Sequence, residues 1–417
     1  MFIYNFTFAK IYCIIFVKCI AMNKIFTAGI LLICAIISTN AQGNYNGGYE
    51  FTTVKELKIT PVKNQSRTGT CWSYSGVGLI ESELLRLGKG EYDLSEMFIV
   101  NKSYIDKADK YVRLHGFLNY AQGGSFADVL YVFKHYGALP EDAYRGLNYG
   151  DTIHIHEELE KSSFAYVKSI IENPNGKLSP VWKNAHKSIV ESYLGQVPEK
   201  FTYKGKEYTP KSFGESLGLN MDDYISLTSY THEPFYSSYA LEIQDNWRWA
   251  LSYNLPLDEL MQVFDNAINT GYSIAWASDV SERGFTRDGI AVMPDVEYQE
   301  TKGSDQDRWV GLSRTERDAK VRELVKNPCK EIEVTQEMRQ KAYDNYETTD
   351  DHGMLIYGIA KDQTGKKYYM VKNSWGTDSR YEGMWYASEA FVAYKTMSIV
   401  LHKDAVPAAI KNKLGIR

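Results

Sequence analysis

The spacing of apolar residues divides the chain into an early part with helical periodicity and a late part with strand periodicity. In the early part, an apolar stripe typical of an amphipathic helix recurs every three or four residues, at Val77, Ile80, Leu84 and Leu87. This stripe predicts a helix over residues 72–87, with the polar and flexible residues 68–70 at its N-terminus. Two further helices are predicted over residues 93–114 and 126–135, the first with Ser95 as its cap.

The final third of the chain consists of short β-branched or aromatic stretches separated by Gly, Asp and Ser. These stretches predict a run of antiparallel strands. They cover residues 272–280, 351–362, 365–376, 383–391 and 395–404. Between the two parts, residues 151–265 are polar and rich in Tyr, with helical stretches such as 179–195. Helices early and strands late predict an α+β protein.

The first 41 residues predict an export signal rather than part of the fold. A second apolar stretch begins with its own methionine, Met22, followed by Lys24, an apolar core and a small-residue cleavage site that ends at Ala41. We therefore interpret residues 1–41 as an over-extended start plus a signal peptide, and residues 42–417 as the exported protein. A membrane anchor is the alternative, which the short and charge-interrupted runs disfavour.

Composition narrows the classes of partner. The chain has 417 residues, 44% hydrophobic and 24% charged, with a formal net charge of −5 and no long basic block. This balance favours a folded protein and does not suggest a phosphate-neutralising face, so nucleic acid is not an expected partner. Peptides, small molecules or copies of the chain itself are expected instead.

Two of the five cysteines remain once the predicted signal is removed, Cys71 and Cys329. Cys71 lies at the predicted start of a helix, where the helix dipole favours a thiolate. A catalytic cysteine also needs a histidine partner. His352 begins a predicted strand and Asn373 ends the next one, where an amide oxygen would fix the orientation of the imidazole ring. A buried structural thiol and a disulfide with Cys329 are the competing interpretations of Cys71.

Two more residues complete the predicted catalytic group. Gln65 precedes Cys71 on the same loop and can place an amide N–H beside the Cys71 backbone N–H, forming an oxyanion hole. Trp375 follows Asn373 closely and can shield the hydrogen bond between His352 and Asn373 from water. The mechanism requires neither a metal nor an organic cofactor. The His-Ile-His motif at His154 predicts solvent-exposed polar residues rather than a zinc site, because no third ligand lies nearby in the sequence.

The stretches "PVKNQSRTGTCWSYS", "DHGMLIYGI" and "VKNSWG" resemble, in order, the motifs of the papain-like cysteine peptidases. The stretches "LSEMFIVNKSYIDKADKY" and "SIAWASDVSERG" are similar to the bleomycin hydrolase and aminopeptidase C branch. The resemblance implies a two-lobe fold, with a helical lobe, an antiparallel β lobe and a large helical insertion over about residues 151–265. Consistent with an insertion, Cys71 and His352 are about twice as far apart as the ~130–150 residues of compact relatives.

The resemblance also implies an activity. It predicts a cysteine aminopeptidase, with Gly123 and Gly124 as the glycine pair that binds the substrate backbone. It further implies a hexamer and a C-terminal arm, residues 404–417, whose terminal carboxylate on Arg417 holds the α-amino group of the substrate. The arm ends in Arg rather than in small apolar residues, so an endopeptidase or a dipeptide-releasing peptidase is the alternative. An acyl transferase on the same residues and a non-catalytic binding module are the remaining hypotheses.

Overall fold

Helices dominate the first half of the described chain and strands the second half. The structure, a computed structural model, describes residues 48–296 and 314–416. The helices are α1 (Cys71–Arg86), α2 (Glu96–Arg113), α3 (Phe126–Tyr136), α4 (Glu157–Ile171), α5 (Val181–Leu194), α6 (Pro210–Ser216), α7 (Leu257–Thr270), α8 (Arg314–Leu324), α9 (Gln336–Asp344), α10 (Glu389–Lys395) and α11 (Ala408–Leu414). The strands are β1 (Phe51–Glu56), β2 (Phe201–Tyr203), β3 (Lys206–Tyr208), β4 (Tyr224–Thr228), β5 (Ser238–Ala240), β6 (Leu251–Asn254), β7 (Ile274–Ser278), β8 (Ile290–Ala291), β9 (His352–Asp362), β10 (Lys367–Lys372), β11 (Met384–Ser388) and β12 (Thr396–His402).

The three helices predicted early in the chain are confirmed to within two or three residues at each end. The side chain of Ser95 caps α2 by accepting a hydrogen bond from the Phe98 N–H. α3 ends at Gly137, whose φ of 90° is open to glycine and costly for other residues. α1 is buried along most of its length rather than on one face, because it packs against α3 on one side and β9 on the other.

Strand β9 occupies the centre of the main sheet. The strands follow one another in the order β5-β6-β4-β12-β7-β9-β10-β11-β8, and β1 also pairs with β9. The pairs along this path are antiparallel except β4 with β6 and β8 with β11. Residues on β9 are therefore held from several sides, which fixes the side chains at its start.

Two large apolar clusters correspond to a helical lobe and a β lobe. One contains α1, α2 and α3 residues such as Leu79 and Phe98, and the other contains sheet and α7 residues such as Phe264 and Ile356. Gly353 on β9 lets α1 approach closely, because a Cβ at this position would lie only 2.8 Å from Ser75 Oγ. The predicted α+β, two-lobe fold is confirmed.

Residues 151–265 form both helices and strands. They contain α4, α5, α6 and most of α7, and also the strands β4, β5 and β6, which extend one side of the main sheet. The boundaries of an insertion stay a prediction. The predicted signal over residues 1–41 lies outside the described residues. Among the helices of residues 48–296 and 314–416, none is long and apolar enough to cross a membrane.

The C-terminal arm packs against the β lobe. Ile410 and Leu414 of α11 join the apolar cluster that α7 shares with the sheet. Asn266 Nδ2 donates a hydrogen bond of 2.7 Å to the Ala405 carbonyl, and Lys413 pairs with Glu259. Residues 404–416 are thus fixed to α7. Arg417 lies outside the described residues.

Candidate active site

Cys71 is the first residue of α1, as the sequence predicts. The residue is partly exposed, and the preceding turn is fixed by a 2.8 Å hydrogen bond from the Gly69 N–H to Gln122 Oε1. Ser75, one turn further along α1, donates a hydrogen bond of 2.6 Å to the Cys71 carbonyl. Cys71 and Cys329 are both free, so they do not form the disulfide considered from the sequence.

His352 and Asn373 are brought together by the pairing of β9 with β10. His352 Nε2 lies 2.7 Å from Asn373 Oδ1, and the Ser374 N–H donates to the same oxygen at 2.7 Å. An oxygen that accepts from a backbone N–H must also accept from the ring, so Nε2 carries the hydrogen and Nδ1 has the free lone pair. His352 is 6% exposed and Asn373 is 2% exposed.

Trp375 lies over the imidazole. The centroids of the Trp375 and His352 rings are 4.6 Å apart, and Trp375 also makes edge contacts with Phe285 and Trp385. The indole is 41% exposed, so it separates the buried imidazole from solvent on one side. This placement is the one that a shielding residue requires.

Gln65 links the loop before α1 to the loop that carries Asn373. Its Oε1 accepts a hydrogen bond of 2.6 Å from Ser374 Oγ, and its Nε2 donates one of 2.6 Å to the Thr68 carbonyl. The Gln65 N–H also donates to the Ser374 carbonyl at 2.8 Å. An amide nitrogen has two N–H donors, so one donor remains after the bond to Thr68.

Gly123 and Gly124 lie on a loop that a buried lysine fixes. Lys107 Nζ donates to the carbonyls of Ala121 at 2.8 Å and Gly123 at 2.5 Å. A Cβ on Gly123 would lie 2.1 Å from Asp245 Oδ2, and a Cβ on Gly124 would meet the Trp72 ring at 2.8 Å. Only glycine fits at either position without a shift of its neighbours.

Cys71, His352, Asp245 and Asp350 line one small cavity of about 30 Å³. Burial, followed by the carboxylates of Asp350 and Asp245, raises the pKa of the Cys71 thiol to about 12, although hydrogen bonds with the backbone of Gly353 and Trp72 lower it. Burial lowers the pKa of His352 to about 4 against the opposing effect of Asn373. Both shifts favour a neutral thiol and a neutral imidazole in the free protein.

A larger cavity of about 880 Å³ adjoins Cys71 and is acidic. Six carboxylates line it, and no Lys, Arg or His among the described residues does so. They are Glu160, Glu242, Asp245, Asp344, Asp350 and Asp351. None was predicted from the sequence. Asp350 and Asp351 directly precede His352, and this adjacency was the available signal, whereas nothing local marks Asp245.

The histidines of the His-Ile-His motif are buried, so the expectation that they are exposed is wrong. His154 is 8% exposed and His156 is fully buried, because the bridge between Ile155 and Arg67 holds this segment against the loop before α1. Burial lowers the pKa of His156 to about 3. No group of three or more His, Cys, Asp or Glu within the described ranges is arranged to hold a metal ion.

Comparison with known proteins relates both halves of the site to one group of enzymes. A family model described as "Papain family cysteine protease" matches residues 49–207, and one described as "Peptidase C1-like family" matches residues 327–416. The first segment contains Cys71 and the second contains His352 and Asn373.

Individual relatives match most of the chain at low identity. Aminopeptidase C of Streptococcus thermophilus is 22% identical over 408 residues, covering 86% of this chain and 84% of that protein. The mitochondrial cysteine proteinase 1 of Saccharomyces cerevisiae is 20% identical over 420 residues, covering 87% and 79%. The crystal structure of PepW from Lactobacillus rhamnosis superposes with a TM-score of 0.66 at 18% identity, covering 87% of this chain and 84% of that one. The likeness to PepW shows the fold.

Proposed function

The chain belongs to the papain-like cysteine peptidases, and we propose that it is an aminopeptidase that removes N-terminal residues from peptides through Cys71, His352 and Asn373. One observation carries the proposal. Cys71 at the N-terminus of α1 lines the same cavity as His352, whose ring is oriented by a 2.7 Å hydrogen bond to Asn373. The aminopeptidase names of several relatives support the substrate class.

Acylation begins with a proton transfer within the pair. The Cys71 thiol gives its proton to the free Nδ1 of His352, and the resulting thiolate attacks the substrate carbonyl carbon. The tetrahedral oxyanion accepts hydrogen bonds from the Cys71 backbone N–H and from the second N–H of the Gln65 amide. As the carbon–nitrogen bond breaks, the His352 imidazolium gives its proton to the leaving amine, which leaves a thioester on Cys71.

Deacylation reverses these roles. His352 Nδ1 accepts a proton from a water molecule, whose oxygen attacks the thioester carbonyl carbon. The carbon–sulfur bond then breaks, and the proton returns from His352 to the Cys71 sulfur. Asn373 keeps the ring in one tautomer through both steps, and no residue is consumed.

Hydrolysis of a free and an N-acetylated peptide tests the proposal. The wild-type protein should release amine from the free peptide, and Cys71→Ala should release none while unfolding at the same temperature. A cysteine-directed epoxide should label Cys71 and abolish turnover. Turnover by Cys71→Ala, or an absence of turnover in a folded, thiol-reduced wild type, would refute it.

An endopeptidase or dipeptide-releasing peptidase is the second candidate, and one observation favours it. Residues 404–416 pack against α7, and none of them lines the cavities beside Cys71. Residues 404–416 of the arm that the resemblance places in the cleft therefore leave room for a longer substrate. Efficient cleavage of N-acetylated peptides would select this candidate.

We also propose that the protein is exported and assembles with copies of itself. The predicted signal over residues 1–41 supports export, and the family resemblance supports a hexamer. N-terminal sequencing of the protein from its native cell tests the first. Light scattering of the purified protein tests the second.

A further inference from the structure

Two carboxylates that act on the Cys71 thiol, Asp245 and Asp350, form no ion pair with a described cation. Asp245 and Asp350 are partly exposed, line both cavities beside Cys71, and form no hydrogen bond or ion pair with any described side chain. Their charges reach the reaction centre, because both raise the pKa of the Cys71 thiol. Carboxylates in a partly dry cleft are costly unless a cation joins them.

The local charge balance leaves room for one positive charge. Lys107 is the buried cation that acts on Asp245. Arg248 is already paired with Asp106 and Asp128, at 2.7 and 2.6 Å. There is therefore one lysine, Lys107, for the two carboxylates of Asp245 and Asp350. Burial and repulsion with Asp245 raise the pKa of Asp350 to about 8, so the free protein favours its protonated form near neutral pH, and a cation bound beside it would favour the charged form.

We propose that Asp245 and Asp350 bind the α-ammonium group of the substrate and thereby select peptides with a free N-terminus. The inference rests on the proposed peptidase function and adds the group that recognises the substrate. It assigns this task to two side chains in the cleft, while residues 404–416 are fixed to α7.

The position of the two carboxylates beside Cys71 suits an α-ammonium group. The α-nitrogen lies about 2.5 Å from the carbonyl carbon that Cys71 attacks, since only two bonds separate them. The cavity that Cys71, His352, Asp245 and Asp350 share is small, about 30 Å³, so an ammonium group held there would lie close to the attacked carbon. The same two carboxylates also line the adjoining cavity of about 880 Å³, which has room for a Lys or Arg side chain, so a substrate with a blocked N-terminus and a lysine side chain is the matched comparison.

The position of Asp245 also limits the length of the substrate upstream of the cleaved bond. Its carboxylate lies against Gly123, where even a single added Cβ would be 2.1 Å from Oδ2. If Gly123 binds the substrate backbone, as the resemblance implies, a residue ahead of the first one would meet this carboxylate. An ammonium group in the same place would be attracted to the Asp245 carboxylate.

Steady-state hydrolysis of three anilides tests the inference in the full-length protein. The substrates are alanine para-nitroanilide, its N-acetyl form, and N-acetyl-lysine para-nitroanilide. We expect D245N and D350N each to raise KM for the first substrate by about 10- to 100-fold, the usual loss for a charge-assisted hydrogen bond. The matched control D142N removes a carboxylate that is 91% exposed in a surface ion pair, and it should leave KM within twofold.

Alkylation of Cys71 by iodoacetamide separates this effect from misfolding. Because Asp245 and Asp350 raise the pKa of the thiol, D245N and D350N should alkylate faster than wild type while binding substrate more weakly. A misfolded variant would also lose its cooperative unfolding transition.

Each outcome decides a different point. Normal KM values for alanine para-nitroanilide in both variants would overturn the inference but leave the proposed function intact. Preference of the wild type for N-acetyl-lysine para-nitroanilide, lost in the variants, would show that the carboxylates bind a basic side chain and would also overturn it. Wild-type protein that hydrolyses no substrate would refute the proposed function itself.

Discussion

Substitution of Gly353 by Ala tests whether the close approach of α1 to β9 sets the catalytic geometry. Gly353 directly follows His352, and Ser75 lies one turn after Cys71 on the same helix. A Cβ on residue 353 would lie 2.8 Å from Ser75 Oγ and 3.1 Å from Phe126 Cε1. Ser75 can rotate away at the cost of its bond to the Cys71 carbonyl, whereas the buried Phe126 ring would have to shift by a few tenths of an ångström.

The size of the effect follows from this crowding. An extra methyl group in a packed core costs about 1–3 kcal/mol. Replacement of glycine restricts the unfolded chain and returns about 0.4–1 kcal/mol. We therefore expect G353A to lower the free energy of unfolding by about 1.3 kcal/mol, within a range of about 0–2.6 kcal/mol. Because the methyl group pushes apart the elements that carry Cys71 and His352, kcat/KM should fall by about 10- to 100-fold.

Urea unfolding and peptide hydrolysis measure the two effects separately. G78A is the matched control, since a Cβ there meets Leu355 Cδ2 at an ordinary 3.7 Å. Alanine inside a helix should stabilise this variant by about 0.5–1 kcal/mol without loss of activity. The double variant G353A/S75A removes the closest contact and should recover part of the activity. Full kcat/KM and unchanged stability in G353A would refute the reasoning.

Three further substitutions test the site and its surroundings. N373A removes the 2.7 Å hydrogen bond that orients the imidazole and should lower kcat/KM by about 5- to 150-fold. N373D keeps a hydrogen-bond acceptor and should lose less activity. Equal losses in the two variants would contradict an orienting role for Asn373. Q65A should lower kcat by about 10²–10³-fold with KM nearly unchanged, and an unchanged kcat would exclude Gln65 from the oxyanion hole. Burial lowers the pKa of His156 to about 3 and of His186 to about 4. As the pH falls below ~6.5, these two histidines take up protons in the unfolded protein but stay neutral in the folded protein, so the free energy of unfolding declines until the pH reaches these values. H156L removes two unpaired ring nitrogens. Between pH 6.5 and 4, the free energy of unfolding from urea titrations should therefore change with pH by about 1.4 kcal/mol per pH unit less than in the wild type. H135Q, at an exposed site, should leave this slope unchanged.

The proposed catalytic residues were predictable because each lies at the boundary of a local pattern. The apolar stripe of α1 placed Cys71 at a helix N-terminus, and the strand patterns placed His352 and Asn373 at neighbouring strand ends. Local patterns also identified the Ser95 cap. These features depend on a few adjacent residues, so one sequence contains enough information to recognise them.

The remaining features depend on which segments meet in space. Asp245 lies in a loop with no catalytic pattern, and it reaches Cys71 only because that loop packs over Gly123. The burial of His156 depends on the bridge between Ile155 and Arg67, which no periodicity reveals. The strand predicted over residues 383–391 instead ends at Ser388, whose side chain caps α10 by accepting from the Phe391 N–H. A serine followed by Glu was a local sign of that helix.

The acidic residues around Cys71 make substrate binding and thiol ionisation interdependent. In the free protein, burial and the carboxylates of Asp245 and Asp350 oppose the thiolate, while the N-terminus of α1 and the backbone of Gly353 and Trp72 favour it. A substrate ammonium held by the two carboxylates would neutralise the charge that opposes ionisation. A peptide with a blocked N-terminus would leave that negative charge in place, because it has no ammonium group for the two carboxylates to bind. The carboxylates would then discriminate between free and N-blocked peptides in two ways, through the affinity for the substrate and through the reactivity of Cys71. The same coupling would keep the thiol protonated, and so less easily oxidised, while no substrate is bound.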